Sequence, residues 1–180
     1  TGVQTCALPI SCWLFLTELS ARKSQQVAIR AMTELSEDTV LLLCGDGDRL
    51  EELKALANSL GLDGRVLFPG RVEDMAAAYR AADIAISSSR IEGLPFNIME
   101  AMAAGLPVAA SRIKGHEDLI EDGVTGLLYP YGDEKALAEC VKRLLEDKSL
   151  AERLSAAAKE AVQKYSLEAV LPQVMEKYSI

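Results

Sequence analysis

One stretch of the chain, residues 82–111, constrains the fold more than any other. It opens with the apolar run Ala82–Ser87, crosses a polar loop, continues into Phe96–Ala104, which consists mostly of good helix formers, and closes with the apolar run Leu106–Ala110. This order predicts a strand, a loop, a helix and a second, parallel strand. In α/β proteins, the N-terminus of a helix that follows a strand binds anions through its free backbone N–H groups.

The two ends of this predicted helix carry their own signals. Pro95 suits the first helical turn, because its missing N–H would have no intrahelical partner there. Gly105, followed by Pro107, predicts the end of the helix.

Short apolar runs alternate with helical patterns along the rest of the chain. This alternation predicts one α/β domain, a Rossmann-like doubly wound parallel sheet of about six strands. With 180 residues, 49% of them hydrophobic, the chain can bury one sizeable core. Further strands are predicted at Cys12–Thr17, Val40–Cys44, Arg65–Phe68 and Leu127–Tyr129. Further helices are predicted at Ser24–Leu35, Arg49–Leu60, Glu73–Ala82, Glu134–Leu145, Leu150–Lys164 and Leu167–Lys177, the last interrupted at Pro172, with a short one starting near Arg112.

Two carboxylates bracket the predicted helix N-terminus: Glu92 in the loop and Glu100 about one turn inside the helix. Carboxylates repel phosphate but accept hydrogen bonds from pairs of hydroxyl groups. The arrangement therefore suits a ligand with a phosphate centre and a polyol at each end, which is the layout of a nucleotide sugar. A plainer interpretation, equally consistent with the spacing, is that Glu100 is an exposed helix residue and Glu92 a loop charge.

The Glu-x7-Glu pattern from Glu92 to Glu100, followed by Ala101–Ser111, resembles the C-terminal donor-binding domain of retaining glycosyltransferases of the GT-B fold, of the group 1 (family 4) type. The resemblance extends from about Leu19 to Tyr165, and it is strongest to the subgroup of bacterial polysaccharide clusters. Further matching segments are Gly45-Asp-Gly47, Phe68-Pro-Gly-Arg71, Gly115-His-Glu117 and Glu121-Asp-Gly-Val-Thr-Gly126.

The resemblance implies a role for each site residue. Glu92, the expected catalytic residue, would hold the sugar hydroxyls, and Glu100 would hold the ribose. Lys23 and the loop backbone would stabilise the leaving diphosphate. Arg71 would lie near the nucleobase, although it could equally cap a surface turn. The donor-binding loop and helix start comprise Gly93, Leu94, Pro95, Phe96 and Asn97.

The chain departs from the family at one position of the turn Glu18–Gln25. Lys23 aligns with the family lysine that grips the diphosphate, but Glu18 stands where the family has an arginine. Arg22 could compensate for that substitution. The alternative is that Arg22 and Lys23 are a solvated pair ahead of a helix.

The activity that the resemblance implies is retaining transfer of a hexosyl group from a UDP- or GDP-sugar to a glycan or lipid-linked acceptor. No metal or cofactor is expected. The acceptor site would belong to an N-terminal domain outside this chain, so the isolated domain is expected to be inactive. Leu167–Ile180 would then expose an apolar face where that domain packs in GT-B enzymes. The alternatives are a non-catalytic nucleotide-sugar-binding module and a GT-B sugar-nucleotide epimerase.

Two other motifs favour plainer interpretations. Asp46-Gly-Asp48 spells a metal-binding Asp-x-Asp, but it also suits a tight strand-to-helix turn. His116 is the only histidine of the chain, so a multi-histidine metal site is excluded. A lone histidine at a helix start is more often structural than catalytic.

Residues 1–10 match the translation of a common sequencing adapter, so we interpret them as an assembly artefact and residues 11–180 as the natural domain. The net charge of −8 argues against nucleic acid as a partner. No cysteine pair has metal or redox spacing, which favours a reduced, cytoplasmic location. Peripheral membrane association is left open, since a lipid could carry the acceptor.

Overall fold

The computed structural model describes residues 11–178 of the chain, so the predicted artefact at residues 1–10 lies outside the described residues. Six parallel strands form one sheet in the order β3-β2-β1-β4-β5-β6. The strands are β1 Ser11–Leu16, β2 Thr39–Cys44, β3 Val66–Gly70, β4 Ile84–Ser87, β5 Val108–Ser111 and β6 Leu127–Tyr129. The helices are α1 Gln25–Ala31, α2 Leu50–Ser59, α3 Met75–Ala81, α4 Phe96–Ala104, α5 Lys114–Glu117, α6 Glu134–Glu146, α7 Lys148–Val162 and α8 Leu167–Tyr178.

Helices cover both faces of the sheet, which confirms the doubly wound α/β fold. Successive strand residues point to opposite faces. In β1, Trp13 and Phe15 pack in one core with α1, α2 and α6, whereas Leu14 packs in a second core with α3 and α4. Because both faces of β4 and β5 are buried, these strands consist of apolar and small residues rather than alternating between apolar and charged ones.

The strand order places a topological switch point at the centre of the sheet. β1 is flanked by β2 on one side and by β4 on the other, so the connections leave its neighbourhood in opposite directions. In open α/β sheets this divergence leaves a crevice at the carboxyl ends of the strands, where ligands bind. The loop that follows β1 carries Lys23, and the loop that follows β4 carries Glu92 and leads into α4 with Glu100; Arg71 follows β3.

Every predicted strand and helix is present, with bounds that differ by a few residues; the first helix, predicted to reach Leu35, ends at Ala31 and is followed by a 3-10 turn at Met32–Glu34. The first helix begins at Gln25 rather than Ser24, because Ser24 adopts a left-handed conformation (φ 51, ψ 40) that a helix cannot include. Pro95 lies one residue before α4 instead of within its first turn. Pro172 does not interrupt the last helix, which runs through it from Leu167 to Tyr178. Gly105 ends α4 at φ 82, as predicted.

The last helix, α8, carries a row of exposed apolar side chains along one face. The row consists of Leu167, Val170, Leu171, Val174, Met175 and Tyr178. Their spacing of three and four residues is that of an amphipathic helix. None of the helices among the described residues has the length and apolar character needed to cross a membrane.

Candidate functional site: a cleft at the carboxyl ends of β1 and β4

A buried ion pair joins the two central loops. Lys23 Nζ, from the loop after β1, lies 2.6 Å from Glu92 Oε1, from the loop after β4. Only 10% of the lysine side chain and 7% of the glutamate side chain are exposed. A buried charge without a partner is costly, so each residue stabilises the other in this position. The structure therefore contradicts the alternative that Lys23 belongs to a solvated pair.

The backbone of Lys23 is held in place by Ser88, the residue that follows β4. Ser88 Oγ, which is fully buried, lies 3.0 Å from the carbonyl oxygen of Lys23 and 2.8 Å from that of Ser24. The left-handed conformation of Ser24 turns the chain between Lys23 and α1. Sequence reasoning did not anticipate this contact, which links residues that are far apart in the chain.

Opposing influences act on the charge of Glu92. Burial raises the pKa of Glu92, but hydrogen bonds from Lys23 and Ser89, together with the positive charge of Lys23, outweigh burial and lower the pKa overall. Ser89 Oγ lies 2.7 Å from Glu92 Oε1. Glu92 is therefore an ionised acceptor, the form that binds sugar hydroxyls.

The start of α4 adds unpaired amides to this cleft. The carbonyl oxygen of Pro95 accepts hydrogen bonds from the amides of Ile98 and Met99, at 3.0 and 3.1 Å. Within residues 11–178, the amides of Phe96 and Asn97 donate to no protein group. Free amides at a helix start attract anions. The cleft has a volume of about 340 Å³ and is lined by Thr17, Arg22, Lys23, Glu92, Leu94, Pro95, Phe96 and Asn97. Gly93 is exposed in the same loop.

Glu100 does not line the same cavity as Glu92. Its carboxylate accepts a hydrogen bond from the phenol of Tyr79 in α3, with Tyr79 Oη 2.8 Å from Glu100 Oε2. Glu100 lies at a neighbouring depression of about 230 Å³, which shares Phe96 with the cleft. The two acids thus flank the same helix start from different sides. Glu100 is exposed, as the plainer interpretation has it, but it is also held by Tyr79.

Arg71 lies in a third cavity, which adjoins the cleft at Thr17. This cavity has a volume of about 470 Å³ and extends along the loops after β1, β2 and β3. Arg71 is largely exposed, and its Nε lies 3.8 Å from Asp46. A guanidinium beside an open cavity of this size has room to stack on a flat ring.

Glu18, which stands where the family has an arginine, has a partner four residues further along the chain. Glu18 points to solvent and pairs with Arg22, with 3.7 Å between Arg22 Nη2 and Glu18 Oε2. Both side chains are more than half exposed, so this ion pair is weak. Arg22 lines the cleft together with Lys23, and its compensation for the missing arginine stays a prediction.

His116 and Gly115 lie behind the Glu92 loop. Gly115 packs so tightly that a Cβ atom there would lie 2.3 Å from the carbonyl oxygen of Glu92. His116 is fully buried, and its Nδ1 lies 2.7 Å from the carbonyl oxygen of Ser111. These two residues form the rear wall of the Glu92 loop rather than a catalytic centre of their own.

No group of three or more metal-ligating side chains converges within residues 11–178. Asp46, part of the Asp-x-Asp alternative, faces Arg71 instead. The expectation that no metal is needed stays a prediction.

The family model described as glycosyl transferases group 1 matches residues 12–161. The phosphatidyl-myo-inositol mannosyltransferase of Mycobacterium leprae is 40% identical over 164 residues, which cover 87% of this chain and 43% of that protein. The lipopolysaccharide core biosynthesis glycosyltransferase LpsE of Rhizobium meliloti is 35% identical over 150 residues, covering 83% of this chain and 44% of that protein.

The crystal structure of Anabaena HepE in complex with UDP superposes with a TM-score of 0.89 at 28% identity, covering 93% of this chain and 48% of that one. The same protein has also been solved with UDP-glucose. The chain thus spans less than half the length of each of these three proteins.

Proposed function

Since the chain belongs to the glycosyl transferases group 1 family, we propose that it is the donor-binding domain of an enzyme that transfers a sugar from a nucleoside diphosphate to an acceptor. The observation that carries the proposal is the cleft in which Lys23 and Glu92 meet the free amides at the start of α4. Cation, carboxylate and amides are the groups that a sugar diphosphate needs. The complexes of HepE with UDP and with UDP-glucose support a nucleotide-sugar donor.

In the proposed binding mode, the donor is distributed over three neighbouring cavities. The diphosphate lies against the amides of Phe96 and Asn97 and against Lys23, with Arg22 beside it. The sugar hydroxyls bond to Glu92, and the ribose hydroxyls bond to Glu100. The nucleobase occupies the cavity of Arg71, which adjoins the cleft at Thr17.

In the proposed reaction, the bond between the anomeric carbon and the diphosphate oxygen breaks, and its electron pair leaves with the diphosphate. The anomeric carbon forms a new bond to an acceptor hydroxyl oxygen, whose proton passes to the departing diphosphate. Lys23 and the helix amides stabilise the negative charge on the leaving diphosphate as it develops, which lowers the barrier. Glu92 holds the hexosyl group in place without donating a proton, because its pKa is lowered. We propose that transfer retains the anomeric configuration and uses no metal or cofactor, in line with the family resemblance of the segment from Glu92 to Glu100.

We further propose that the acceptor is a glycan or a lipid-linked glycan, bound by a second, N-terminal domain. The relatives named for phosphatidyl-myo-inositol and lipopolysaccharide core synthesis support such an acceptor. The exposed apolar face of α8 would pack against that second domain. A cytoplasmic reaction, close to a membrane where the acceptor is lipid-linked, fits this scheme. The 11–180 domain alone is then expected to bind donor without transferring sugar.

Calorimetric titration of the chain with UDP, GDP, UDP-glucose and GDP-mannose tests donor binding. We expect one base to be preferred and Glu92→Ala to lose the extra affinity that the sugar provides. Arg153→Ala, which removes a bond to the carbonyl oxygen of Gly123 away from the cleft, serves as the control. No binding of any of the four ligands would contradict the proposal.

Transfer itself is tested with a radiolabelled donor in the longer protein that includes the acceptor domain. Donor binding without transfer there would favour the non-catalytic module. Conversion of the donor sugar to its epimer would favour the epimerase. Unchanged transfer by Glu92→Ala would rule out the role assigned to Glu92.

A further inference from the structure

Three consecutive serines end β4 and begin the loop that carries Glu92. Ser87, Ser88 and Ser89 are each no more than 1% exposed. A buried hydroxyl needs a hydrogen-bond partner, and three in a row are costly unless each has one. Ser88 holds the backbone of Lys23, as described above. The other two hydroxyls lie in a chain that leads to the carboxylate of Glu92.

The direction of this chain is determined by its last member. An ionised carboxylate can only accept, so Ser89 donates its single hydroxyl hydrogen to Glu92 Oε1 at 2.7 Å. The oxygen of Ser89 is then left as an acceptor, and Ser87 Oγ donates to it at 3.2 Å. Ser111 Oγ, from β5, donates to the carbonyl oxygen of Ser89 at 2.6 Å and holds the backbone there.

The two oxygens of Glu92 are consequently not equivalent. Oε1 accepts from both Lys23 and Ser89, whereas Oε2 accepts from no group within residues 11–178. The terminal torsion of a glutamate side chain is broad, so a carboxylate held by nothing rotates freely. A carboxylate pinned at one oxygen presents the other in a defined direction.

Glu92 Oε1 accepts hydrogen bonds from Lys23 and Ser89, and in the proposed binding mode only Lys23 also contacts the diphosphate. If Lys23 turns toward a bound diphosphate, its bond to Glu92 weakens at the moment when the sugar must be held. Ser89 has no such competing partner. We propose that Ser89 is a positioning residue, which fixes Glu92 by its Oε1 atom and leaves Oε2 to receive a hydroxyl of the donor sugar. The sugar part of this inference rests on the proposed function.

The inference has a direct test in the free protein. The side-chain carboxyl of Glu92 is titrated by carbon-13 NMR in the whole chain, in Ser89→Ala and in Ser11→Ala. Loss of a donor to the charged form raises the pKa of Glu92 in Ser89→Ala. Ser11 is also buried and hydrogen-bonded, but it is the first residue of β1, at the amino ends of the strands and away from the cleft, so Ser11→Ala leaves the pKa of Glu92 unchanged.

Two further variants keep the test available if Ser89→Ala does not fold. Ser89→Cys keeps the size of the side chain and donates only weakly, so its Glu92 midpoint falls between those of wild type and Ser89→Ala. Ser87→Ala removes the second member of the chain and shifts the midpoint upward by a smaller amount. An unchanged Glu92 midpoint in both Ser89 variants overturns the inference.

Ligand binding supplies the functional readout. With the nucleotide and nucleotide sugar that the unaltered chain binds, Ser89→Ala loses about 5-fold in sugar-nucleotide affinity while nucleotide affinity is retained. Equal losses for both ligands indicate a merely structural serine and overturn the positioning role. No binding by the unaltered chain contradicts the proposed function instead, and the NMR titration then still decides whether Ser89 fixes Glu92.

Discussion

Tyr79 donates its phenolic hydrogen to Glu100, with 2.8 Å between Tyr79 Oη and Glu100 Oε2, and so ties α3 to α4. The carbonyl oxygen of Asn97 also lies within reach, at 3.1 Å, but the charged carboxylate is the nearer and stronger acceptor. Burial, together with the neighbouring charge of Glu100, raises the pKa of Tyr79, so the phenol stays protonated and remains a donor. The second acid of the motif therefore has a fixed orientation before any ligand binds.

Tyr79→Phe removes this orientation while keeping the ring. We expect it to weaken nucleotide binding by about 5-fold, because Glu100 must then be ordered by the ribose itself, and to cost about 1 kcal/mol of stability. Calorimetry and urea unfolding measure the two effects. Tyr129→Phe is the matched control, since it loses a buried bond to the carbonyl oxygen of Ser87 and should lower stability alone. Unchanged nucleotide affinity in Tyr79→Phe would count against Glu100 as the ribose ligand.

The Lys23–Glu92 ion pair predicts strong coupling between its members. Lys23→Met and Glu92→Gln each leave a charge without its partner, so each should lower the free energy of unfolding by about 1.5–3 kcal/mol. The double variant should lose less than the sum of the two. Urea unfolding of the four proteins gives the coupling energy, and additive losses would show that the pair is not formed.

The same pair predicts a pH dependence. Because the folded-state pKa of Glu92 is below its ordinary value, the pair contributes stability above the unfolded pKa, and this contribution is lost as pH falls through the folded one. Wild type and Glu92→Gln should therefore converge in stability at acidic pH. A constant difference down to pH values where Glu92 is protonated would contradict this assignment.

The fold could be predicted from local patterns because the sequence signals of each helix and strand lie within that element or next to it. Phe96–Ala104 is a run of helix formers that ends at a glycine, and the structure has a helix with these bounds. Ser24 shows the limit of such reasoning. Its left-handed conformation is accompanied by hydrogen bonds to Ala21 and Tyr131, and Tyr131 lies 107 positions away, so no helical periodicity could reveal it.

The site was predictable only in part, for the same reason. The spacing of Glu92 and Glu100 places both acids at one helix start, and the structure confirms that placement. The spacing does not reveal that Glu92 and Glu100 line different cavities, since that depends on which neighbour holds each carboxylate. Tyr79 lies 21 positions from Glu100, and its only signal is that it is the one aromatic residue in an alanine-rich helix. Ser89 is signalled by three serines that continue an apolar strand, where polar residues must be paired.

His116 predicts a loss of stability on mild acidification. Burial lowers the pKa of His116, and the positive charge of Lys23 lowers it further, against the opposing effects of the bond to Ser111 and the charge of Glu92. His116 Nε2 has no partner among the described residues, so an added proton there would be buried and unpaired. The unfolded chain then binds the proton more readily than the folded one, and stability falls as pH drops from the ordinary value of 6.5 toward the lower folded pKa.

Urea unfolding between pH 5.5 and 7.5 measures this effect. Its slope cannot exceed about 1.4 kcal/mol per pH unit for one group. Since the chain contains a single histidine, His116→Phe should remove the slope in this range while lowering stability at every pH through the bond lost to Ser111. Parallel curves for wild type and variant would show that His116 does not titrate differently on folding.

Gly115 predicts how closely the rear wall must approach the Glu92 loop. A Cβ atom at Gly115 would lie 2.3 Å from the carbonyl oxygen of Glu92, 2.8 Å from its carbonyl carbon and 2.9 Å from its Cβ. Two of these three atoms are backbone, so no side-chain rotation relieves the overlap and the Glu92 loop itself must shift. Gly115→Ala should therefore cost about 2 kcal/mol of stability and displace Glu92 from Lys23.

Gly93→Ala is the matched control for stability, because its Cβ meets nothing within 4 Å and Gly93 needs no left-handed conformation. Urea unfolding compares the two variants, and the NMR titration of Glu92 reports the displacement, since a carboxylate that loses Lys23 and Ser89 regains a higher pKa. A Gly115→Ala protein as stable as Gly93→Ala, with Glu92 titrating as in wild type, would show that the loop can move away from the wall without opening the ion pair.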